Sequence, residues 1–222
     1  MSALLHWSVH DDTMTGPIAT DDPRWRRSRE LILDAATAHF VRRGYAGGNM
    51  DDLAVEAGVV KRTVYNHFAG KDELFRAVVR RAIGTAERFV AARVESPIGV
   101  EPVADEIRDF ALAHARAVLT PSVISTRRLL IGEAERFADL AVEYYERVPG
   151  RVMRAIADRL ARYDSAGLLA VPEPSIAAEH FVYLVLGARL DRAVFDLSSL
   201  DAPAIEQRAT AGAAVFVRAY LR

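Results

Sequence analysis

Residues 49–75 constrain the fold of this chain more than any other stretch. Leucine and alanine recur at helical spacing between residues 50 and 57, which predicts a short amphipathic helix. Asn49 is a favourable N-cap residue, and Asp52 three residues later can reach back to it in a capping box. Gly58 then ends the helix, because glycine adopts a left-handed conformation at little cost.

A second short helix is predicted over residues 61–68. Val64 and Phe68 can face inward, while hydrogen-bonding side chains cover the rest of the helix surface. These side chains are Lys61, Arg62, Thr63, Tyr65, Asn66 and His67. Such residues meet phosphates and base edges in complexes with DNA. A helix, a turn with glycine and a polar helix form the helix-turn-helix arrangement, whose second helix enters the major groove.

The same region carries an ordered set of short motifs. They are Gly44-Tyr45, Leu53-Ala54, Ala57-Gly58-Val59, Thr63-Val64-Tyr65, Phe68 and Lys71-Asp72-Glu73-Leu74. In this order the region resembles the DNA-binding part of the tetracycline-repressor (TetR) family of bacterial regulators. The resemblance is specific, although it covers only about a fifth of the chain. The remaining residues resemble the family only in their helical pattern and in the length of the chain.

The resemblance implies which side chains would read DNA bases. Lys61 and Thr63 would face base edges in the major groove. Arg62 and Asn66 are further candidates, because both are expected to be exposed on the same helix. Arginine and lysine prefer guanine, and asparagine prefers adenine. These four positions are therefore the predicted base-reading set.

Contacts to the DNA backbone follow from the same resemblance. Tyr65, His67 and Lys71 would hold phosphates, and Asn49 would add a contact from the preceding helix. The chain departs from the family pattern at Val60, where serine is common. A serine there would cap the third helix, and the loss of a cap costs about 1 kcal/mol.

The distribution of charge agrees with a nucleic-acid partner. The whole chain has a net charge of -1, but residues 24–81 carry twelve Lys and Arg against seven Asp and Glu. The only two lysines of the chain, Lys61 and Lys71, both lie in the motif. A local excess of this size is weak evidence alone, yet it lies where an electrostatic footprint on DNA is needed.

The rest of the chain continues the helical pattern and shows no alternation typical of strands. Further helices are predicted at residues 24–43, 70–94, 103–119, 122–136, 138–164, 175–195 and 204–221, with a bend or break at Pro149-Gly150. We therefore predict an all-α protein with about nine helices. Its expected parts are a disordered N-terminal arm (1–23), a helix-turn-helix DNA-binding domain (24–70) and a helical ligand-binding and dimerisation domain (71–222).

The last two predicted helices suggest a partner subunit. The helix at 175–195 is apolar on nearly all sides, so more than one of its faces must be buried. A symmetric homodimer through 175–195 and 204–221 would bury these faces. The family resemblance implies the same, because there the last two helices pair with their copies in a four-helix bundle.

The C-terminal helices are expected to sense an unknown small-molecule effector. Aromatic and apolar residues that can line a cavity between them are Phe110, His114, Leu130, Phe137, Tyr144, Tyr145, Phe181 and Tyr183. An ordinary place in the hydrophobic core is the alternative for each of these residues, and for each one alone it is the favoured interpretation.

Several classes of function are disfavoured. The chain has no cysteine, so it has no disulfide and no thiolate ligand for a metal. It lacks the helical His-Glu motifs of metalloenzymes, the nucleophile elbow and the phosphate-binding loop. We expect no enzymatic activity, no cofactor and no bound metal. The absence of a long apolar segment and of a secretion signal favours a cytoplasmic protein without a membrane span.

These patterns together predict a DNA-binding transcriptional regulator. The favoured hypothesis is a ligand-responsive repressor that binds a palindromic operator on double-stranded DNA as a dimer. A ligand-responsive activator of the same fold is one alternative. A helical interaction module without DNA binding is another, but it leaves the polar third helix unexplained.

Overall fold

The computed structural model describes residues 22–94 and 96–222, and helices dominate both ranges. The helices are α1 (Pro23–Arg43), α2 (Met50–Glu56), α3 (Lys61–His67), α4 (Lys71–Phe89), α5 (Val103–Val118), α6 (Pro121–Gly132), α7 (Ala138–Arg147), α8 (Pro149–Ser165), α9 (Pro174–Val185), α10 (Gly187–Phe195) and α11 (Ala202–Tyr220). A π-helical turn (Val90–Val94) continues α4, and a 3-10 turn (Leu197–Ser199) follows α10. The all-α prediction is confirmed.

The predicted N-terminal arm falls almost wholly on residues 1–21, which lie outside the described residues. Asp22 and Pro23, the last two residues of the predicted arm, instead begin α1. The side chain of Asp22 accepts a hydrogen bond of 2.7 Å from the backbone N–H of Arg24, and Pro23 occupies the first turn. This is the usual chemistry of a helix start, because proline has no N–H to leave unpaired there.

Two of the predicted helices are each divided into two segments. The predicted break near Pro149 separates α7 from α8, but the break between α9 and α10 was not predicted. Gly187 stands at that break with φ +47°, a conformation that other residues adopt only with strain. A Cβ atom on Gly187 would also collide with the guanidinium group of Arg208 on α11. The continuous helix predicted over residues 175–195 was therefore wrong.

The helix predicted over residues 122–136 ends early, at Gly132. A turn follows and carries Phe137 back towards α4, where its ring lies 4.7 Å from that of Phe75, nearly parallel to it. Phe137 also contacts Tyr45 edge to face, with ring centres 5.1 Å apart. The turn thus brings Phe137 into aromatic packing with both of these rings.

Two hydrophobic cores organise the described residues. The first joins α1–α4 and includes Phe40 and Phe75, and residues from α6 and α7 complete it. The second core joins α5, α8, α9 and α11 around Phe110, Phe181 and Phe216. The first core thus spans the predicted boundary at residue 70, because α4 contributes to it over most of its length. The division into domains at that residue stays a prediction.

Ion pairs fasten α4 to α7 along their length. Arg76 on α4 binds Asp139 at 2.6 Å, and Arg80, one turn later, binds Glu143 at 3.2 Å. A third pair has the opposite arrangement: Arg147 at the end of α7 binds Glu87 on α4 at 3.0 Å. These pairs are largely exposed and individually weak, but all three join the same two helices along their length. Among the described residues, no helix is both long and apolar enough to cross a membrane.

Candidate nucleic-acid interface

The start of α2 is capped as the sequence predicts, but the capping box does not form. The Asn49 side chain accepts a hydrogen bond of 2.8 Å from the backbone N–H of Asp51. Asp52, expected to reach back to Asn49, instead accepts a bond of 2.7 Å from Arg43 at the end of α1. The N–H of Asn49 donates to Nε2 of His39 at 3.3 Å. Residues of α1 therefore replace the local partner that the sequence suggested.

The turn between α2 and α3 has the expected left-handed glycine, Gly58, at φ +65°. Val60 follows in an extended conformation as the N-cap of α3, and no side chain caps this helix start. The Val60 side chain is 70% exposed, beside the first residues of α3. The valine at this position therefore leaves the start of α3 without a side-chain cap. It also places a small exposed apolar surface next to the first turn of α3.

One side of α3 is buried and the other is exposed. On the buried side Val64 is fully buried and anchors the helix on the first core. On the outer side Lys61, Arg62, Tyr65 and Asn66 are exposed and Thr63 is partly exposed. The structure therefore presents all the predicted base-reading residues, and Tyr65, on the accessible part of α3.

Lys61 is held by a neighbour on α2. Its Nζ atom lies 2.8 Å from a carboxylate oxygen of Asp51 and 5.8 Å from the centre of the Tyr65 ring. The hydrogen bond from Lys61 to Asp51 raises the pKa of this lysine, so the ammonium group stays charged. A base contact by Lys61 therefore requires that the ammonium group leave Asp51 or bridge it to the base.

His67 differs from the other predicted contacts because it is only 8% exposed. Its ring packs on Trp25 of α1, with ring centres 4.3 Å apart, and its Nε2 lies 2.7 Å from the hydroxyl of Ser28. That hydroxyl donates to the Trp25 carbonyl at 2.9 Å, so we infer that it accepts from Nε2–H of His67. Burial, with the charge of Arg29, lowers the pKa of His67. The sequence-based assignment of a phosphate contact to His67 conflicts with this burial, because the ring joins α3 to α1.

Lys71 lies at the first turn of α4, near the loop that follows α1. Its Nζ atom donates to the backbone carbonyl oxygen of Tyr45 at 3.1 Å. The same atom lies 4.5 Å from the centre of the Tyr45 ring. The Tyr45 hydroxyl donates to Asp72, and burial together with this bond raises the pKa of Tyr45 to about 12. The tyrosine therefore remains a neutral platform that orients the ammonium group of Lys71.

A cavity of about 390 Å³ lies behind this unit, bounded by α1, α4, α5, α6 and the junction of α7 with α8. Of the predicted ligand-contacting residues, His114 and Tyr144 line it. Residues that the sequence did not suggest also contribute, among them Thr37 on α1 and Arg81 on α4. No local sequence signal marks them, because they reach the cavity only through the packing of α1 and α4 against α6.

The other predicted cavity residues lie elsewhere. Phe110 and Phe181 stack on each other in the second core, with ring centres 5.2 Å apart. Leu130 and Phe137 are buried in the first core, where they join α6 and the following turn to α4. Tyr145 and Tyr183 point to solvent and are 63% and 68% exposed. Five of these six residues thus have core packing or a surface position instead of a place on a cavity wall. Phe110, although packed in the second core, also lines a separate cavity of about 340 Å³ beside Arg159.

The described residues contain no group of three or more His, Asp or Glu side chains that could hold a metal ion. What they do contain is a helix-turn-helix with an exposed polar helix and a helical domain after it, with a cavity where α1 and α4 meet the helices of that domain. This combination defines a helix-turn-helix transcriptional regulator as the class of protein.

Comparison with known proteins gives the family. The family model for bacterial regulatory proteins of the tetR family matches residues 32–78. The model for the C-terminal domain of AefR-like transcriptional repressors matches residues 105–222, more than half of the chain. The chain belongs to the TetR family. This confirms the resemblance inferred from the sequence, and the family consists of regulators rather than enzymes.

Individual relatives agree with this assignment. The chain is 32% identical over 97 residues to the HTH-type transcriptional repressor SCO4008 of Streptomyces coelicolor, a match that covers 44% of this chain and 48% of that protein. It is 44% identical over 61 residues to the transcriptional activator FasR of Mycolicibacterium smegmatis, covering 28% of this chain and 27% of FasR. The matches thus span half or less of these curated relatives.

Solved structures match over most of the chain. A TetR-family regulator from Mesorhizobium loti superimposes with a TM-score of 0.78 at 27% identity, covering 90% of this chain and all of that one. The flavonoid-responsive regulator FrrA superimposes with a TM-score of 0.67 at 29% identity, covering 88% of this chain and 98% of its own. The similarity therefore extends through the C-terminal helices, where the sequence alone gave no specific motif.

Proposed function

We propose that the protein is a transcriptional repressor that binds a palindromic operator as a homodimer and releases it when a small molecule binds. The observation that carries the proposal is the exposed polar face of α3 within a TetR-family helix-turn-helix. The relative SCO4008 is a transcriptional repressor, and the C-terminal family model that matches this chain describes repressors. A protein with this role acts in the cytoplasm, which we propose as its location.

In this proposal α3 lies in the major groove. Lys61, Arg62, Thr63 and Asn66 meet base edges, because these side chains share the accessible part of the helix. Phosphates are met by Tyr65, by Lys71, whose ammonium group donates to the Tyr45 carbonyl, and by Asn49 at the start of α2. We omit His67 from the contact set because its ring is packed under Trp25. The half-sites of the operator lie about 34 Å apart, or a multiple of that distance.

The proposed dimer interface consists of α9, α10 and α11, which cover the ranges 175–195 and 204–221. Large apolar side chains on these helices remain exposed in the single chain, among them Ile176, Tyr183 and Val215. An exposed apolar surface of this kind is usually covered by a partner, and a two-fold symmetric dimer covers it with a second copy of itself. A dimer also supplies the second recognition helix that a palindromic operator needs.

The proposed effector site is the cavity between α4 and the C-terminal helices. α4 extends from the helix-turn-helix to the cavity wall, so it is the element through which we expect ligand binding to move the recognition helix. Ion pairs join α4 to α7, which also borders the cavity. The effector releases DNA only through a higher affinity for the conformation in which the recognition helices are wrongly spaced. The flavonoid-responsive neighbour FrrA supports a response to a small molecule.

Fluorescence anisotropy tests the proposal on DNA from the region upstream of the gene, against scrambled DNA, over a series of salt concentrations. We expect tight, sequence-dependent binding that weakens steeply with salt, because phosphate contacts release counterions. Equal, weak binding to both DNAs even at low salt would contradict the proposal and favour the interaction module. An activator would bind in the same way, so a reporter gene under the bound promoter separates repression from activation.

A variant of Lys61 tests the assignment of the interface. Lys61→Ala is expected to change the preference among operators with single base changes by roughly tenfold, since a base contact is lost. The matched control is Arg154→Ala, which removes an equal charge from α8, far along the chain from the helix-turn-helix. A Lys61 variant that keeps the wild-type order of preference would remove this residue from the base-reading set.

A further inference from the structure

The wall of the cavity is mainly apolar. Most of its surface is apolar and comes from residues such as Phe89, Val118 and Val152. A few hydroxyl-bearing side chains, including Ser122 and Thr126, interrupt this surface. A volume of about 390 Å³ is large enough for a small organic molecule. The cavity therefore suits a ligand that is mainly apolar.

His114 is the exception on this wall. It is only 2% exposed, and neither of its ring nitrogens has a hydrogen-bond partner within the part of the chain that the structure describes. Of the other two buried histidines among the described residues, His39 has both nitrogens satisfied, by Glu56 and by the N–H of Asn49, and His67 has one, bound to Ser28. Buried polar groups are nearly always paired, so two unpaired nitrogens beside a cavity indicate a missing partner.

The histidine is uncharged at neutral pH. Burial lowers the pKa of His114 to about 4, and its near neighbours are the aromatic rings of Phe89, Phe110 and Phe181. A neutral imidazole offers one N–H donor and one acceptor nitrogen. It can therefore donate to a carbonyl group or accept from a hydroxyl group, and both arrangements leave the ligand uncharged.

The remaining charge on the wall is already neutralised. Arg81 is the only charged residue among the described residues that line the cavity. Its guanidinium group binds Asp34 at 2.7 Å and Thr37 at 2.8 Å, and Glu30 lies within 3.6 Å. A cationic ligand finds no acidic partner on this wall, and an anion must compete with Asp34 for Arg81. An uncharged ligand meets neither cost.

We propose that the cavity binds an uncharged, largely apolar molecule through one hydroxyl or carbonyl group that hydrogen-bonds His114. This proposal rests on the proposed effector function and names the chemistry of the effector. His114 is the specificity-determining residue, since it recognises the polar group of the ligand. The apolar wall contributes affinity without regard to that group.

Three naphthalene compounds separate the contributions of shape, polarity and charge. 2-Naphthol carries a hydroxyl group, naphthalene carries none, and 2-naphthoate carries a negative charge. Each is used to displace the uncharged fluorescent probe N-phenyl-1-naphthylamine from the full-length protein at neutral pH, without DNA. We expect 2-naphthol to compete about tenfold more strongly than naphthalene, the value of one good hydrogen bond in a buried site. 2-Naphthoate should be the weakest competitor.

Variants of His114 assign the difference to this residue. His114→Leu should bind naphthalene as well as the wild type does and should lose the preference for 2-naphthol. His114→Gln retains a donor and an acceptor and should restore part of it. Ala117→Leu, which fills the same cavity, should weaken all three compounds equally. Circular dichroism melting shows whether each variant is folded, and no loss of stability is expected for His114→Leu because no hydrogen bond is removed.

Equal competition by naphthalene and 2-naphthol in the wild type would overturn the proposal. Preferred binding of 2-naphthoate would also overturn it and would assign recognition to Arg81. Because the assay contains no DNA, its failure is distinct from a failure of operator binding, which the anisotropy measurements detect separately.

Discussion

Replacing His114 with leucine should remove an acid sensitivity that the buried imidazole gives to the folded protein. In the unfolded chain the pKa of a histidine has its ordinary value of 6.5, whereas burial lowers that of His114 to about 4. The unfolded state therefore binds a proton between these values while the folded state does not. Stability from this group is fully present above pH 6.5 and is lost as the pH falls from 6.5 towards 4.

The size of the effect follows from the two pKa values. About pH 5 is about 1.5 units below the pKa of the unfolded state and still above that of the folded state. Each unit is worth about 1.4 kcal/mol, so the free energy of unfolding is about 2 kcal/mol lower than at about pH 7.5. The leucine variant lacks this loss. It should also be at least as stable as the wild type at about pH 7.5, because it removes two unpaired buried nitrogens.

Urea unfolding of the wild type and of His114→Leu at both pH values measures the difference directly. Protein concentration must be held constant, since dimerisation adds to the apparent stability. The matched control is Ala117→Leu, which places a leucine on the same cavity wall but keeps His114. It should retain the full pH dependence of the wild type. If His114→Leu and the wild type lose the same stability between the two pH values, the ring is not held neutral and buried.

Three further predictions concern other parts of the chain. Lys71→Ala should weaken binding to all DNA sequences alike and should reduce the slope of log affinity against log salt concentration by about one, as measured by anisotropy. Val60→Ser should supply the missing cap of α3 and raise the free energy of unfolding by about 1 kcal/mol; an unchanged melting temperature would show that the helix start is satisfied without it. Glu106 is partly buried, which opposes ionisation, but hydrogen bonds from the backbone of Glu101 and neighbouring residues and from the Tyr163 hydroxyl outweigh this and lower its pKa to about 2. Glu106→Gln should therefore cost about 2 kcal/mol at neutral pH, and the difference from the wild type should shrink as the pH falls from about 4.5 towards 2, with a constant difference as the contradicting result.

The helix-turn-helix could be predicted from the sequence because its signals are local. The N-cap at Asn49, the left-handed glycine at Gly58 and the inward position of Val64 each depend on residues within a few positions of one another. Helical periodicity likewise predicted the all-α class and most helix boundaries in the described part of the chain. Such features need no knowledge of distant residues.

The structure changed the predictions wherever a distant element supplied the partner. Asp52 binds Arg43 of α1 rather than its own helix start, and His67 lies under Trp25. The helix breaks at Gly187, whose backbone has φ +47°, and the end of the Arg208 side chain from α11 lies where a Cβ atom of residue 187 would stand. Each of these contacts joins residues from different helices, so no periodicity within one helix reveals it.

The class of fold, the DNA-binding motif and the resemblance to the TetR family could all be recognised before the structure was known. Residue types at fixed local spacing are sufficient for these, because caps, turns and amphipathic stripes act over a few residues. Which aromatic residues belong to the cores and which line the cavity depends instead on how distant helices pack. A histidine on the apolar stripe of a helix gives the same sequence pattern whether it packs in a core or lines a cavity. Whether its nitrogens find partners depends on how α4, α5 and α6 pack, and this packing is what leaves His114 unpaired beside the cavity.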